Sequence, residues 1–373
     1  MRNSLIIIIL LAFSDLLQAQ QSVQEQSFIR QYEGSIDGKY AISMHLVNWE
    51  NGIIMGDYYY KKVGKKITLY GEFTDIDVFV MNEYADEGMS GEFSGMFTNP
   101  FTIKGTWTSA DGKRNLPFTL QAPAETPENT GWDGQWHFND VWDGGSLLIG
   151  SVTKDSLSFA LSVVRSAHIG EIWGTAARRG NEAVFRQVEF AWDGEENPEP
   201  CYLIFNLQDD YIQVEQQSSS MACGFGMRAY ATGRFDNRII TIKPTLSYGP
   251  DDADIFTTQQ QHDIFRQAVG DEIYELFAYN MQSPFRPEQS SLDGFQATVV
   301  QGAVQGMFSV NEAIIMYDKT GKFWAATIDN EGDDYESSLV IRYYTNNTKH
   351  ALKWPQTIGN WIDNFPDYPV RHK

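Results

Sequence analysis

His168 and Glu171 stand three positions apart in the segment His168-Ile-Gly-Glu-Ile-Trp-Gly174. An imidazole and a carboxylate can act as a general acid and base when both face one substrate. The sequence places this pair across a predicted turn, where incidental contacts between surface side chains are the alternative interpretation. Both residues are therefore candidate ligand-binding positions, and no residue is assigned a catalytic role.

Three tryptophans, Trp132, Trp136 and Trp142, cluster around the acidic residues Asp133 and Asp143. Exposed indole rings of this kind stack on sugar rings or accept a cationic side chain over their faces. The alternative is that the rings fill the interior of a β domain at its entry. The pattern therefore predicts either a binding surface for a glycan or a cationic protein, or a buried plug.

Catalytic and metal-binding motifs are missing from the sequence. It contains no Gly-x-Ser-x-Gly elbow, no His-Glu-x-x-His pair, no P-loop and no dinucleotide-binding Gly-x-Gly-x-x-Gly. The acidic run from Asp329 to Asp334 has alternating oxygen ligands but lacks the glycine and the final glutamate of a calcium loop. We therefore predict a protein without enzyme activity, cofactor or metal.

The chain has two cysteines, Cys201 and Cys223, which flank a predicted hairpin. If they pair, they close a loop of about 22 residues, which stabilises the fold by roughly 3 kcal/mol in the chain-entropy model. No histidine pattern near them suggests nucleophile chemistry. We expect a structural disulfide.

The first 19 residues have the pattern of a secretory signal peptide. Arg2 supplies the positive start, residues 5–13 form a continuous apolar run, and Leu17-Gln-Ala19 matches a cleavage site. The sequence therefore predicts export, to the periplasm or the medium, with cleavage near Ala19. A cysteine pair can oxidise in such a compartment.

The composition is strongly acidic, with 28 Lys and Arg against 49 Asp and Glu and a formal net charge of −21. This charge disfavours nucleic acids and anionic membrane surfaces as partners, since both attract basic faces. No later apolar run approaches the length of a transmembrane helix, so no integral membrane segment is expected in the mature chain. The acidic field steers cationic partners, or it only keeps an exported protein soluble.

The remaining chain divides by its periodicity. After a lead-in at 20–30, predicted to be disordered, residues 31–122 and 131–240 each show about eight short alternating strands with turn signals between them. Such sequential strands predict two antiparallel, calycin-like meanders closed into barrels, with sandwiches as the alternative. Residues 255–373 mix helical and strand periods and predict a small α+β domain.

The two β domains share a short repeated motif. An alternating strand leads into Gly52-Ile-Ile-Met-Gly56 in the first and into Gly170-Glu-Ile-Trp-Gly174 in the second. The glycines allow a turn or a close approach of backbones. A duplicated barrel and a chance match are both compatible with one shared motif.

The second domain also carries a resemblance. The succession Cys-x-Leu-x-Phe from Cys201, Ile212-Gln-Val-Glu-Gln216, Cys223-Gly-Phe-Gly226 and Ala231-Thr-Gly233 resembles exported bacterial domains associated with lysozyme-inhibitor-like proteins of the LprI type. The similarity covers about residues 131–237. It implies an exported binding protein and brings no catalytic residue with it. The cysteine-rich helical segment of the inhibitors themselves is not present.

Three functions follow as hypotheses. The first is an exported, non-enzymatic binding protein that engages a cationic partner such as lysozyme. The second is a β-barrel that binds a small ligand or a glycan. The third is a glycan hydrolase, which would need two carboxylates facing each other across a cleft.

Overall fold

The computed structural model describes residues 22–49, 52–85, 88–122, 130–188, 198–251, 254–332 and 338–372. These residues form two closed antiparallel barrels followed by a small region of sheet and helices. The predicted mainly β fold, with two barrels and an α+β end, is confirmed. In the described ranges, no helix has both the length and the hydropathy needed to cross a bilayer.

Eight strands with alternating side chains form the first barrel. They are β1 (Phe28–Ile36), β2 (Tyr40–Asn48), β3 (Ile53–Tyr60), β4 (Ile67–Asp75), β5 (Val78–Ala85), β6 (Gly88–Asn99), β7 (Thr102–Ser109) and β8 (Asn115–Gln121). Each strand pairs with the next, and β1 also pairs with β8. Closure in this way leaves no open sheet edge.

One end of the first barrel is closed by the residues that precede β1. A 3₁₀ helix, Val23–Glu25, lies there, and the Val23 amide donates to Asp77 Oδ1 at 2.6 Å. The Asn48 side-chain amide donates to the carbonyls of Val23, Gln24 and Gln26. The predicted disorder of residues 20–30 is therefore wrong from residue 22 onward, because long-range polar anchors hold this otherwise polar segment.

Aromatic rings fill the interior of the first barrel. The Phe93 ring packs edge-on against Tyr58 and Phe118 at centroid distances of 5.3 and 5.2 Å. Phe79 and Phe97 form a further contact at 5.4 Å nearer the closed end. The barrel is thus a packed core for most of its length, and any open space must lie at its other end.

The second barrel also has eight strands. They are β9 (Gly134–Asn139), β10 (Asp143–Gly150), β11 (Ser156–Arg165), β12 (His168–Arg179), β13 (Glu182–Gln187), β14 (Cys201–Leu207), β15 (Tyr211–Gln216) and β16 (Gly233–Asp236). The strand β9 closes it by pairing with both β10 and β16. The predicted disulfide is confirmed: Cys201 in β14 is bonded to Cys223 in a 3₁₀ helix, Met221–Cys223.

The two barrels pack against each other through β1, β2 and β3 on one side and β10, β11 and β12 on the other. A shared apolar cluster contains Ile29, Val47 and Met55 of the first barrel with Leu148 and Ala160 of the second. This contact explains why seven consecutive residues of β2 are buried. One face of the strand lines the barrel interior and the other faces the neighbouring barrel.

The two segments that share the repeated motif, 52–56 and 170–174, lie at this contact. Gly56 is in β3 and Gly174 is in β12. A Cβ at Gly56 would lie 1.9 Å from the His45 carbonyl oxygen, and one at Gly174 would lie 2.6 Å from the Phe185 ring. Both glycines therefore permit a close approach, as the sequence predicted. Both copies of the motif therefore lie on strands that take part in the contact between the barrels.

The C-terminal region is a sheet covered by helices on both faces. Its helices are α1 (Gln259–Val269), α2 (Asp271–Asn280) and α3 (Gln356–Ile362). Its strands are β17 (Ser283–Pro284), β18 (Glu288–Ser290), β19 (Ala297–Ala303), β20 (Glu312–Tyr317), β21 (Phe323–Asn330), β22 (Leu339–Thr345) and β23 (Val370–His372). One apolar cluster joins the sheet to α1 and α2, and another joins it to α3.

Candidate functional site

Two of the three predicted tryptophans lie inside the second barrel. Trp132 is fully buried and its indole N–H donates to the Gly180 carbonyl at 3.2 Å. Trp136 is buried as well, and its N–H donates to the carbonyl of Trp132 at 3.1 Å. Both rings belong to the core cluster of this barrel. The alternative interpretation, a buried plug, describes these two residues.

The other three predicted site residues lie in different environments. The Trp142 indole N–H donates to the Tyr279 carbonyl of α2 at 3.1 Å. His168 and Glu171 both lie in β12 rather than across a turn, and their odd spacing points them to opposite faces of the strand. Glu171 accepts a hydrogen bond from the Trp49 indole at 2.9 Å. The five predicted ligand-binding residues are thus not brought together.

The structure instead has a cavity at the mouth of the first barrel, opposite the end closed by the 3₁₀ helix. It has a volume of about 730 Å³. Three of the connections at this end, residues 37–39, 61–66 and 110–114, surround it. Asp86 and Glu87, which lie between β5 and β6 in the sequence, are outside the described residues. The lining residues come from the ends of β1, β2, β3, β7 and β8: Ile36, Lys39, Tyr40, Ala41, Tyr60, Lys61, Lys62, Val63, Trp107, Arg114 and Leu116.

The cavity is lined by four cations and, among the described residues, by no carboxylate. Lys39 pairs with Asp37 at 2.7 Å, and Lys61 pairs with Glu33. No carboxylate of the described residues forms an ion pair with Lys62 or Arg114. As far as the described residues go, these two charges can bind an anion. The lining of the mouth is therefore positively charged, although the whole protein has a net charge of −21.

Aromatic and aliphatic side chains form the apolar part of the wall. Tyr60 packs edge-on against Tyr40 at 6.4 Å and against Tyr58 at 5.5 Å, between ring centroids. Ile36 and Leu116 complete this side of the cavity. Because Tyr58 and Tyr60 are two positions apart, both point to the inside of the barrel.

The floor of the cavity rests on a buried carboxylate. Glu83 accepts hydrogen bonds from the Tyr58 hydroxyl at 2.6 Å, from the Trp107 indole at 2.7 Å and from Ser90 at 2.6 Å. Burial raises the pKa of Tyr58, and the adjacent charge of Glu83 raises it further, so the phenol stays a donor. A Cβ at Gly91 would lie 2.7 Å from Trp107 Nε1, so a residue without a side chain is needed beneath this ring.

These features suit a ligand with an apolar body and an anionic group. The volume lies within the usual range for small-molecule sites. The rings offer apolar contact, and the guanidinium of Arg114 can bind a carboxylate, sulfonate or phosphate in a bidentate manner. The filled interior below Trp107 confines the ligand to the mouth.

The sequence contained a signal for this site that does not match any of the catalytic or metal-binding motifs. Residues 61–66 read Lys-Lys-Val-Gly-Lys-Lys, a local reversal of charge in an acidic chain. This run directly follows Tyr58-Tyr-Tyr60, an aromatic strand end. The cations from the other two hairpins could be added only once closure of the barrel was known.

No family model, curated protein or solved structure matches the chain. Within the described ranges, no group of three or more His, Cys, Asp or Glu side chains is arranged to hold a metal ion.

Proposed function

We propose that the first barrel binds a small amphipathic anion at its mouth. The observation that carries this proposal is the combination of a cavity of about 730 Å³ with four lining cations and a wall of aromatic rings. Among the three hypotheses this is the second, a β-barrel that binds a small ligand. The charges that line the cavity specify an anion as the ligand class. The role is binding rather than catalysis.

The compartment is part of the proposal. Residues 1–19 have the pattern of a secretory signal peptide, and the disulfide Cys201–Cys223 suits an oxidising compartment. We infer an exported protein that takes up its ligand outside the cytoplasm.

A head-group series tests the binding site. The fluorescent anion anilinonaphthalene sulfonate serves as the probe, and decanoate, decanol and decyltrimethylammonium compete for it with one common tail. We expect decanoate to displace the probe best and the cationic amphiphile worst, because the lining charges attract only anions. Equal competition by all three compounds, or no saturable binding of the probe, would refute the proposal.

Two matched variants assign the site. Arg114→Gln removes a lining cation that pairs with no described carboxylate and should weaken decanoate binding about tenfold, as expected for a charge-assisted hydrogen bond worth ~1.5 kcal/mol. Lys104→Gln changes an exposed cation of β7 that does not line the cavity and should leave the affinity unchanged. Equal effects of the two changes would show a nonspecific charge effect.

A cationic protein such as lysozyme remains a second candidate because of the net charge of −21. Binding should then be abolished by high salt, since acidic fields act over a short screened range. Competition separates the two functions: decanoate at saturating concentration should not affect binding of a protein partner to another face.

A further inference from the structure

The mouth of the first barrel has a second property that ligand binding does not require. The turn between β3 and β4 projects an apolar tip, Val63, whose surface is 72% exposed. Lys61 and Lys62 precede it, and Lys65 and Lys66 follow it. Four lysines in six residues thus surround one protruding aliphatic side chain.

Other exposed apolar side chains lie at the same end of the barrel. Tyr40 is 51% exposed, and Tyr84 and Met89 are also exposed. They belong to the ends of β2, β5 and β6 that neighbour the mouth. Aromatic rings and thioethers that lie next to lysines are side chains that insert at the headgroup boundary of a bilayer.

The opposite end of the same barrel provides an internal comparison. Its β4–β5 turn also exposes an aliphatic tip, Ile76, to 71%. That tip is flanked by Asp75 and Asp77 rather than by lysines. The two turn tips therefore differ in the charge of their flanking residues while they match in exposed aliphatic side chain.

We propose that this basic end of the first barrel docks on an anionic lipid bilayer, with Val63 inserted and Lys62 and Lys65 of the same turn against the headgroups. Lys61 is paired with Glu33, and Lys66 lies 3.6 Å from the buried Asp57. Each lysine at an anionic surface contributes about 1 kcal/mol. The two described carboxylates in the neighbouring turns, Asp37 and Asp111, are paired with Lys39 and Lys113.

The net charge of the chain argues against an anionic membrane, but it averages over the whole molecule. Screening limits a charge to about 8 Å at physiological ionic strength, so the acidic residues of the other domains act weakly on a surface that touches only this end. Docking with the mouth toward the bilayer would place the cavity opening at the lipid surface. The proposal goes beyond ligand binding and is tested separately from it.

Vesicle co-sedimentation is the direct test. The chain is mixed with vesicles of equal parts phosphatidylglycerol and phosphatidylcholine, and with pure phosphatidylcholine, at about 0.1 M and about 1 M salt, where the screening length falls from ~10 to ~3 Å. All variants carry the same N-terminus, so any contribution of residues 1–21 cancels. We expect binding to the anionic vesicles at low salt and its loss at high salt.

The variants locate the docking surface. Lys65→Glu should weaken binding to the anionic vesicles roughly five- to thirtyfold, since it changes the charge beside the inserted tip from positive to negative. Lys65 does not line the cavity, so decanoate affinity should be unchanged. Val63→Asp should weaken vesicle binding as well. Ile76→Asp, at the acidic end, and Lys104→Glu, on the barrel side, are the matched controls and should have no effect.

Three outcomes would overturn the proposal. The first is no binding to anionic vesicles, or equal binding to neutral ones. The second is a loss of binding in the controls as large as in Lys65→Glu and Val63→Asp. The third is tighter salt-dependent binding to an acidic polypeptide such as polyglutamate, which would identify the basic end as a protein-docking site.

Discussion

At the scale of single residues, Glu83 organises the floor of the candidate site. Its carboxylate accepts from Tyr58, Trp107 and Ser90, and all three partners are donors. A buried carboxylate with three donors fixes the orientation of the Trp107 ring, which is 9% exposed and lines the cavity. An amide at this position would turn an N–H₂ group toward at least one of these donors.

We therefore expect Glu83→Gln to lower the stability of the first barrel by about 1–3 kcal/mol, the cost of an unsatisfied buried polar group. It should also weaken decanoate binding, because Trp107 loses its fixed orientation. Thermal unfolding and probe displacement measure the two effects. Glu72→Gln, an exposed carboxylate of β4, is the control. Equal unfolding temperatures for both variants would contradict this role of Glu83.

At the scale of elements, a buried polar cluster joins the faces of the two barrels. Asp57 of β3 lies 3.3 Å from His45 Nδ1 and accepts from the Trp173 indole of β12 at 2.8 Å. His45 Nε2 lies 3.1 Å from the Thr175 hydroxyl of the same strand. Burial alone would raise the pKa of Asp57, but hydrogen bonds from His45 and Trp173, with the charges of His45 and Lys66, lower it below the usual value.

Because the folded pKa of Asp57 is lowered, its contribution to stability is present above the ordinary aspartate pKa and is lost as the pH falls through the folded value. We expect Asp57→Asn to lower stability by about 1.5–3 kcal/mol at neutral pH, the contribution of a hydrogen bond to a charged group. The difference in stability between the wild type and this variant should shrink as the pH falls below about 4. Unfolding temperatures over this pH range measure it. Asp209→Asn, an exposed control, should show no such trend.

The disulfide acts on the second barrel alone. Cys201 and Cys223 both belong to its core, and the first barrel closes by strand pairing without a disulfide. We expect the double change to alanine to destabilise the second barrel by roughly 3 kcal/mol. Hydrogen exchange should accelerate in β14–β16, while β1–β8 and decanoate affinity stay unchanged. Equally faster exchange in the first barrel would contradict this locality.

At the scale of the whole molecule, periodicity alone predicted the barrels and the α+β end, because the alternation of buried and exposed side chains is local information. The disulfide followed from two cysteines and a predicted compartment. The order within the second barrel, with β9 between β10 and β16, depends on a long-range pairing that no local pattern encodes. The anchoring of residues 22–27 by Asp77 and Asn48 is long-range for the same reason.

The candidate site was harder to predict than the fold. Trp132 and Trp136 suggested either a binding surface or a buried plug, and closure of the barrel turns both rings inward. The mouth cavity collects Lys39, Lys62 and Arg114 from three separate hairpins, which are 75 positions apart at the extremes (114 − 39). Such a constellation becomes visible only after closure brings the hairpins to one end.

The central claim is that a small amphipathic anion binds at the mouth of the first barrel, and amide and methyl chemical-shift mapping with decanoate tests it most directly. We predict saturable shifts confined to the hairpin ends around the cavity, near residues 36–41, 60–63, 107 and 114–116, with none in the second barrel. Shifts centred on Trp132, Trp136 and Trp142, or no saturable shift at all, would contradict it.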